Sequence, residues 1–413
     1  MDILHRCCAG LDVHKEIVVA CVRTLVDGKT RQQVRTFRTE TNQLLALADW
    51  LTDEGVSHVA MESTGVYWKP IWNLFEDVFE LILVNAEHIK AVPGRKTDVK
   101  DSQWIAELLQ HGLLEPSFVP EKPIRQLRDL TRQRTQLIRQ KVQVANRIQK
   151  TLEDCNVKLS SVASDVMGAS GRDMIKAIIR GEEDPMKLAD LARQRLREKI
   201  PQLQEALCGE IKDHHRFLLG MLMDQVEFLE GQVEKLTSRI AEVLPRPFVE
   251  AIGRLDTIPG IDRKAAENIV AELGSDLGSF ASAGHLASWA GVCPGNHESA
   301  GKRKSGRTTK GNAWLRVTLV QCAWAAGRSK GTYLKAMYGR LAARRGKKRA
   351  LVAVAHRLLE IIYNVLKKGQ SYQELGEDYL DKKQDKEYLK HRLLMRLEKL
   401  GVKVTVQEPA AVA

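Results

Sequence analysis

Four carboxylates in the first quarter of the chain occupy positions that suit metal binding. Asp12 lies in the apolar run AGLDVHKEIVVA, and Glu62 follows Val-Ala-Met at the end of a predicted strand. Charges at the ends of buried strands are costly without a partner. Asp98 and Asp101 are three residues apart at the start of a predicted helix, so they share one helix face. Four converging acids repel one another unless divalent cations bind between them, and such oxygen ligands favour Mg²⁺.

Basic residues concentrate towards the other end of the chain. The 64 Lys and Arg residues exceed the 52 Asp and Glu residues, which gives a net charge of +12. Residues 1–115 hold 12 basic and 17 acidic side chains, whereas residues 299–359 hold sixteen Lys or Arg and no acid. A long acid-free segment predicts a polyanionic partner. The side chains predicted to contact phosphate are Lys302, Arg303, Lys304, Arg307, Lys310, Arg344, Arg345, Lys347 and Lys348. Alone, the run ARRGKKR could also be a solubilising face, but its acid-free surroundings favour phosphate binding.

Composition limits the class of protein. A length of 413 residues predicts two or three domains, and 44% hydrophobic with 28% charged residues is typical of a folded chain. We find no apolar run of about 18 residues and no signal peptide, which predicts a cytoplasmic protein without a membrane partner. Seven cysteines without a Cys-x-x-Cys pair argue against disulfides and structural zinc.

The elements that must position the carboxylates follow a recognisable order. Residues 7–24 and the run QQVRTFRT predict three antiparallel strands, and Thr41 is predicted to cap a helix. Residues 56–62 and 79–84 predict two more strands separated by a helical stretch, before a helix from about 98 to 111. Because this is the element order of an RNase H-like (RuvC-like) fold, we predict an α/β domain over 1–115.

A helical region is predicted over 116–245. Residues 121–155 form a basic amphipathic helix, with Leu130, Leu137 and Val144 seven residues apart. Residues 218–243 repeat apolar side chains at alternating threes and fours, starting at Leu218 and ending at Val243, which is coiled-coil spacing. The two predict a long coiled-coil arm, and the polar stretch between them receives no predicted role.

A mainly α-helical domain is predicted over 246–368, followed by a charged tail over 369–413. Helices are expected near 282–291, 312–327 and 350–368. The run Ile258-Pro259-Gly260-Ile261 predicts the turn of a helix-hairpin-helix-like element. The Gly260 turn is predicted to offer backbone N–H groups to a phosphate.

The motifs in combination resemble one family. The runs GLDVHK, MESTGVYWKP and PGRKTDVKDSQWIAELLQHGLL resemble the DEDD motifs of one group of bacterial insertion-sequence transposases, recombinases guided by a bridge RNA. The runs IPGI and SAGHLASWAGVCPGNHESAGKRKSGRTTKGNAWLR are similar to the second domain of the same family. The resemblance covers roughly 1–115 and 250–365.

The resemblance implies a nucleophilic serine, and by position that residue is Ser299 in ESAGK. The neighbouring Ser305 in KSGR is the less favoured candidate. The family implies a DNA recombinase with a Mg²⁺ site at Asp12, Glu62, Asp98 and Asp101, a phosphoserine intermediate, and a structured guide RNA that pairs with donor and target DNA. A bacterial, nucleoid-associated protein is then expected. The heptad pattern favours a homodimer or homotetramer.

Two other functions fit the residues. In a metal-dependent nuclease or Holliday-junction resolvase, water attacks the phosphodiester and the C-terminal domain only grips nucleic acid. A non-enzymatic architectural protein would use the basic segment alone. Trapping of a serine–DNA adduct distinguishes the recombinase from the nuclease, and tolerance of Asp12→Asn identifies the architectural protein.

Overall fold

The computed structural model of the protein describes residues 3–63, 65–85, 101–295, 297–299, 302–382, 391, 394–398, 400 and 401. The chain divides into two compact units, Met1–Val119 and Pro120–Ala413. The end of the first unit lies close to the domain boundary predicted at residue 115. The boundaries predicted at residues 245 and 368 fall inside the second unit and stay predictions.

A mixed five-stranded sheet forms the centre of the first unit, as the sequence predicts. Its strands, in the order β3-β2-β1-β4-β5, are β1 Cys7–Val13, β2 Ile17–Val26, β3 Lys29–Arg38, β4 His58–Glu62 and β5 Glu80–Val84. The β1–β2 and β2–β3 pairs are antiparallel, whereas β4 lies parallel to both β1 and β5. β-branched residues in these strands suit a pleated and buried surface.

Helices cover both faces of this sheet. Helix α1, Thr41–Asp53, and helix α2, Trp68–Phe75, pack on the face that carries Leu11 and Met61. Helix α3, Asp101–Gln110, packs on the opposite face against Cys8 and Ala60. Side chains along a strand alternate between the two faces, so the position of each β1 or β4 residue fixes the face that it occupies.

The predicted cap of α1 is wrong by one residue. Glu40 is the N-cap, and no side chain caps the helix. The backbone of Glu40 is extended, and its carbonyl accepts the N–H of Leu44 at 3.0 Å. Thr41 is therefore the first helical residue.

Two long helices begin the second unit. Helix α4, Lys122–Asp154, and helix α9, Asp213–Val243, lie antiparallel, because Lys141 pairs with Glu230 and Asp154 contacts His215. Their shared core is made by Val144, Ile148, Leu152, Leu219, Leu222, Met223, Val226 and Leu229. The predicted apolar positions Leu218 and Val243 are instead 44% and 37% exposed, because Leu219 faces the shared core in place of Leu218 and Val243 is the last residue of α9.

Short helices occupy the stretch between α4 and α9, for which no role is predicted. They are α5 Leu159–Val162, α6 Ala169–Ile179, α7 Pro185–Asp190, a 3₁₀ turn Gln194–Lys199 and α8 Ile200–Ala206. Their buried side chains, including Met174, Ile178, Leu188 and Leu203, join the core of the α4–α9 pair. The stretch is thus a small helical cap on that pair.

The rest of the second unit is mainly helical, as predicted. Its elements are α10 Arg246–Asp256, α11 Arg263–Leu273, α12 Ala283–Trp289, β6 His297–Ser299, β7 Lys302–Ser305, α13 Ala313–Ala326, α14 Tyr333–Arg345, α15 Lys347–Lys368 and α16 Tyr379–Lys382. The three predicted helices are present, and α14 was not predicted. In the described part of the chain, no helix has the length and apolar character to cross a membrane.

Candidate functional site

Strand register places two of the predicted acids side by side. The parallel β1–β4 pairing aligns Gly10 with Ala60 and Leu11 with Met61, so the next aligned positions are Asp12 and Glu62. Both residues lie on the face of the sheet that α3 covers, because they alternate with residues of the other face. The side chain of Asp12 is 20% exposed. The two residues therefore lie at the carboxyl ends of neighbouring parallel strands.

The first turn of α3 lies directly on the same strand. A Cβ atom added to Gly10 would lie 2.9 Å from the Ala106 Cα atom and closer still to the Ala106 nitrogen and the Ser102 oxygen. Real Cβ atoms essentially never make contacts under 3.0 Å. Gly10 thus permits the backbone of α3 to touch β1, two residues before Asp12. Asp101 precedes Ser102 and lies at the same end of the helix.

The surroundings of these acids are polar. The Asp12 carboxylate accepts a hydrogen bond from, or pairs with, the His14 ring at 3.1 Å. The Ser102 side chain is fully buried, and its hydroxyl has no hydrogen-bond partner among the described residues. Hydroxyl and carboxylate oxygens are the hard ligands that Mg²⁺ takes in proteins.

No metal centre is complete within the described residues. There, no group of three His, Cys, Asp or Glu side chains is close enough together to hold a metal ion. The fourth predicted ligand, Asp98, lies outside the described residues. The structure therefore brings Asp12, Glu62 and Asp101 to one face and end of the sheet, and the metal site stays a prediction.

The predicted nucleophile lies on a β-hairpin of the second unit. Ser299 ends β6, and its backbone is paired with Lys302 at the start of β7. Three of the predicted phosphate-contacting residues, Lys302, Arg303 and Lys304, lie on β7 itself. The Ser305 hydroxyl accepts the Arg307 N–H at 3.2 Å, so the less favoured serine takes part in a local turn.

The base of this hairpin is closely packed. The Gly295 N–H donates to the Arg307 carbonyl at 2.7 Å, and Pro294 forms a β-bridge with Thr308. Further down, a Cβ added to Gly311 would fall within 3.0 Å of the backbone of Gly291 and its neighbour. Only a residue without a side chain fits there. The hairpin that carries Ser299 is therefore held in place at its base.

A buried ionic network connects the base of this hairpin to α4 and α11. The Glu272 carboxylate accepts two hydrogen bonds from Arg132, at 2.7 and 2.8 Å, and a third from the Asn312 amide at 2.7 Å. The Asn312 side-chain oxygen in turn caps α13 by accepting the N–H groups of Trp314 and Leu315 at 3.0 Å. The chain leaving the hairpin thus enters a helix whose first turn is tied to two other helices.

Two further arginines of α4 complete the network. Arg134, 1% exposed, pairs with the equally buried Glu267 at 2.6 Å. Arg128 donates to the Ala271 carbonyl at 2.8 Å at the C-terminal end of α11. Burial lowers the pKa of Arg128 to about 10, and the Glu272 carboxylate acts in the opposite direction. This network was not predicted from the sequence, although Arg128 and Arg132 share a helix face.

The second predicted basic patch lies at the junction of two helices. Arg344 and Arg345 end α14, and Lys347 and Lys348 begin α15 after Gly346, whose φ is +81°. All four cationic side chains are exposed. Cations at a helix N-terminus oppose the helix dipole, whereas an anion bound there is favoured. The arrangement of Lys347 and Lys348 is thus suited to a bound phosphate.

Gly260 has a packing role that the sequence did not predict. It lies in the turn between α10 and α11 with φ of +87°, and an added Cβ would fall 2.6 Å from the Cys322 carbonyl oxygen of α13. The turn is therefore pressed against another helix, which accounts for the glycine. Phosphate binding by its N–H group stays a prediction.

Comparison with known proteins identifies the class as transposases. Residues 9–157 match the DEDD transposase model of the IS110 type, and residues 253–339 match the transposase domain of the IS116/IS110/IS902 family. Together the two matches span more than half of the chain, and the chain belongs to this family of transposases.

Individual relatives agree with this assignment. The chain is 26% identical to a transposase for insertion sequence element IS1111A from Coxiella burnetii, over 70% of this chain and 72% of that protein. It is 25% identical to a putative transposase of Sinorhizobium fredii, over 76% of this chain and 74% of that protein. It is also 27% identical to the pilin gene-inverting protein of Moraxella bovis, over 46% of this chain and 60% of that protein.

Proposed function

We propose that the protein is a DNA recombinase that cuts and rejoins strands through a covalent bond between Ser299 and DNA. The observation that carries the proposal is the β1–β4 register, which aligns Asp12 with Glu62 beneath the first turn of α3. A metal centre for phosphodiester chemistry needs acids placed together on one sheet face, which supports a catalytic role for these two residues. Membership of a transposase family supports the same reading.

Asp12, Glu62, Asp98 and Asp101 are the residues proposed to hold Mg²⁺. Carboxylate oxygens suit this ion, and the Ser102 hydroxyl, which has no hydrogen-bond partner among the described residues, adds a polar group in the same helix turn as Asp101. When bound, Mg²⁺ supplies positive charge that stabilises the attacked phosphate and its leaving oxygen. We infer an RNase H-like, RuvC-like fold for the first unit from its strand order and from the helices on both sheet faces.

The chemical step proposed for Ser299 is a transesterification. Its hydroxyl oxygen loses its proton and attacks the phosphorus. The bond from phosphorus to one DNA oxygen breaks, and that oxygen gains a proton. The bond energy is kept in the phosphoserine, so a second DNA hydroxyl reverses the step without ATP. Cations on the hairpin and at the α14–α15 junction are suited to neutralising the phosphates.

We also propose a structured guide RNA that pairs with donor and target DNA. The net charge of +12 and the acid-free segment over residues 299–359 support a large nucleic-acid surface. The helix-hairpin-helix-like turn at Gly260 and the coiled-coil character of the α4–α9 pair are proposed parts of that surface and its support. A homodimer or homotetramer is proposed as the working assembly.

An exposed apolar face on α9 supports self-association. Phe217, Met221 and Phe228 are 69%, 57% and 64% exposed, and their spacings of four and seven place them on one face of the helix. Exposed apolar patches of this kind mark sites of protein–protein interaction. Phe228→Ser is expected to shift the sedimentation coefficient towards that of a smaller species. An unchanged oligomer in Phe217→Ser and Phe228→Ser alike would exclude this face.

Trapping tests the proposed serine chemistry. The native chain, supplied with Mg²⁺, RNA transcribed from the flanking element and labelled donor DNA, is expected to yield a denaturant-resistant protein–DNA adduct. Ser299→Ala should abolish the adduct, Asp12→Asn should greatly reduce it, and Ser305→Ala should retain it. Cleaved DNA with free 5′-phosphate ends and no adduct would instead identify a hydrolytic nuclease or junction resolvase. Unchanged function in Asp12→Asn would refute both enzymatic schemes.

Mixing of variants tests how subunits share the reaction. If different subunits supply the acids and the serine, a mixture of Asp98→Ala and Ser299→Ala proteins should recover adduct formation that neither shows alone. Recovery at no ratio of the two would assign both contributions to one subunit.

A further inference from the structure

A cavity of about 720 Å³ lies beside the base of the Ser299 hairpin. We name it the α15 cavity, because α15 contributes more of its wall than any other helix. Its volume falls within the range of about 300–1,000 Å³ that is usual for small-molecule sites. It is lined by Val292, Pro294, Gly306, Arg307, Thr308, Arg316, Met337, Lys348, Arg349, Val352, Ala353 and His356.

The wall of the cavity contains both apolar and cationic groups. Val292, Met337, Val352 and Ala353 supply aliphatic surface, while Arg307, Arg316, Lys348 and Arg349 supply four cations. No Asp or Glu residue lines it. A ligand that matches this wall has an apolar body and at least one negative charge.

The cations come from three separate parts of the chain. Arg307 follows β7, Arg316 lies in α13, and Lys348 and Arg349 lie in the first turn of α15. All four residues are exposed, so their charged groups are accessible to a ligand. The N-terminal dipole of the 22-residue helix α15 adds to their attraction for an anion. Guanidinium groups bind phosphate oxygens through two parallel hydrogen bonds, and several cations together suit its multiple charged oxygens.

The position of the cavity relates it to the proposed reaction. Pro294 and Arg307 in its wall belong to the paired base of the hairpin that carries Ser299. Ser299 lies five residues after Pro294, so the two are at most roughly 18 Å apart, since an extended chain spans at most about 3.6 Å per residue. DNA rises about 3.4 Å per nucleotide along one strand, so the cavity lies within about five nucleotides of the attacked phosphate.

We propose that the α15 cavity binds one unpaired nucleotide of the DNA strand that Ser299 attacks, with the base against the aliphatic wall and the phosphate at the four cations. This inference rests on the function proposed above. A base inside a duplex cannot enter a cavity, whereas an extruded or single-stranded nucleotide can. Holding one nucleotide there would fix the strand relative to the hairpin during exchange.

Fluorescence of 2-aminopurine tests the inference directly. The probe is a thymidine decamer with one central 2-aminopurine, added to the full chain. Entry of the base into a wall without Trp, Tyr or Phe is expected to unstack it from its neighbours and raise its emission several-fold. Val352→Trp, which places a bulky side chain in the aliphatic wall without changing the charge of the cavity, should abolish the rise. The affinity of the Val352→Trp protein for the decamer, measured by fluorescence anisotropy, should stay within about fivefold of the native value, because other phosphate contacts remain.

Matched controls keep the test decisive. Val317→Trp makes the same change on α13, at a residue that is 38% exposed and does not line the cavity, and it should behave as the native chain does. Ala353→Leu is a smaller obstruction that should reduce the rise if Val352→Trp proves unstable on thermal unfolding. An equal rise in the native, Val352→Trp and Ala353→Leu proteins would overturn the inference. A larger rise with a 2-aminopurine-containing ribonucleotide decamer would also overturn the assignment to DNA.

Failure of the inference can be told apart from failure of the proposed function. A Ser299-dependent adduct without a fluorescence rise would refute nucleotide binding in the cavity and leave the recombinase standing. A rise that Val352→Trp removes, in a chain that forms no Ser299 adduct, would support the cavity and refute the serine chemistry.

Discussion

The contact between Gly10 and α3 allows a quantitative test of the proposed metal centre. In Gly10→Ala, the new methyl group would overlap the Ser102 oxygen and the Ala106 nitrogen, whereas ordinary contacts begin at 3.4 Å. Neither strand nor helix backbone can yield locally, so α3 should retreat by about 1 Å. Overpacking of this kind costs about 1–3 kcal/mol. Because Asp101 moves with the helix, a shift of about 1 Å should also slow adduct formation by about 100-fold.

Two measurements separate these effects. Hydrogen exchange followed by mass spectrometry on peptides covering β1 and α3 gives the local loss of stability, and the rate of Ser299–DNA adduct formation at several Mg²⁺ concentrations gives the functional loss. Gly339→Ala is the matched control, since a Cβ there meets nothing within 4 Å and the residue lies inside helix α14. That change should stabilise the helix by up to about 1 kcal/mol. Native exchange and native rates in Gly10→Ala would refute the proposed geometry.

Three further outcomes are expected. Arg134→Ala should lower the free energy of unfolding by about 3 kcal/mol because it leaves the buried Glu267 with only the exposed Arg263 as its ionic partner, whereas Arg239→Ala, whose exposed partner is Glu242, should cost less than about 1 kcal/mol. Equal losses in denaturant titrations would contradict the role of the buried network. Burial raises the pKa of the Cys322 thiol from 9.0 to about 12. Between those values the unfolded thiol loses its proton and the folded one keeps it, so stability should fall as pH rises above 9, and less steeply in Cys322→Ala. DNA affinity should fall steeply between about 50 and 200 mM salt, and a flat response would contradict phosphate-dominated binding.

Much of the fold could be predicted from the sequence because its signals are local. Alternating β-branched residues predicted the first three strands, the runs at 56–62 and 79–84 predicted the other two, and apolar spacing predicted α4 and the three C-terminal helices. Predictions failed where tertiary packing chose among equivalent positions. Leu218 and Leu219 fit the apolar pattern of α9 about equally well, and only the facing helices decide that Leu219 is buried.

The candidate site shows the same division. Asp12, Glu62 and Asp101 could be singled out because acids beside buried strands or at helix starts are visible in one sequence. The ionic network around Glu272 could not, since its partners Arg132 and Asn312 are 140 and 40 residues away. The α15 cavity was equally hidden: Arg316 and Arg349 look like ordinary surface residues until folding brings them to one wall.

The antiparallel packing of α4 against α9 has a consequence for how such a chain can diversify. The arginines that hold α4 to α11 lie near one end of α4, and the helical cap formed by residues 159–206 packs near the other, some twenty residues or about 30 Å further along. The segment that forms this cap leaves α4 at Asp154 and enters α9 at Asp213, and these two residues lie at the same end of the helix pair. Insertions, deletions or a different small domain at this end of the helix pair can therefore change which partner the helical cap contacts. The ionic network that holds the Ser299 hairpin would be unaffected.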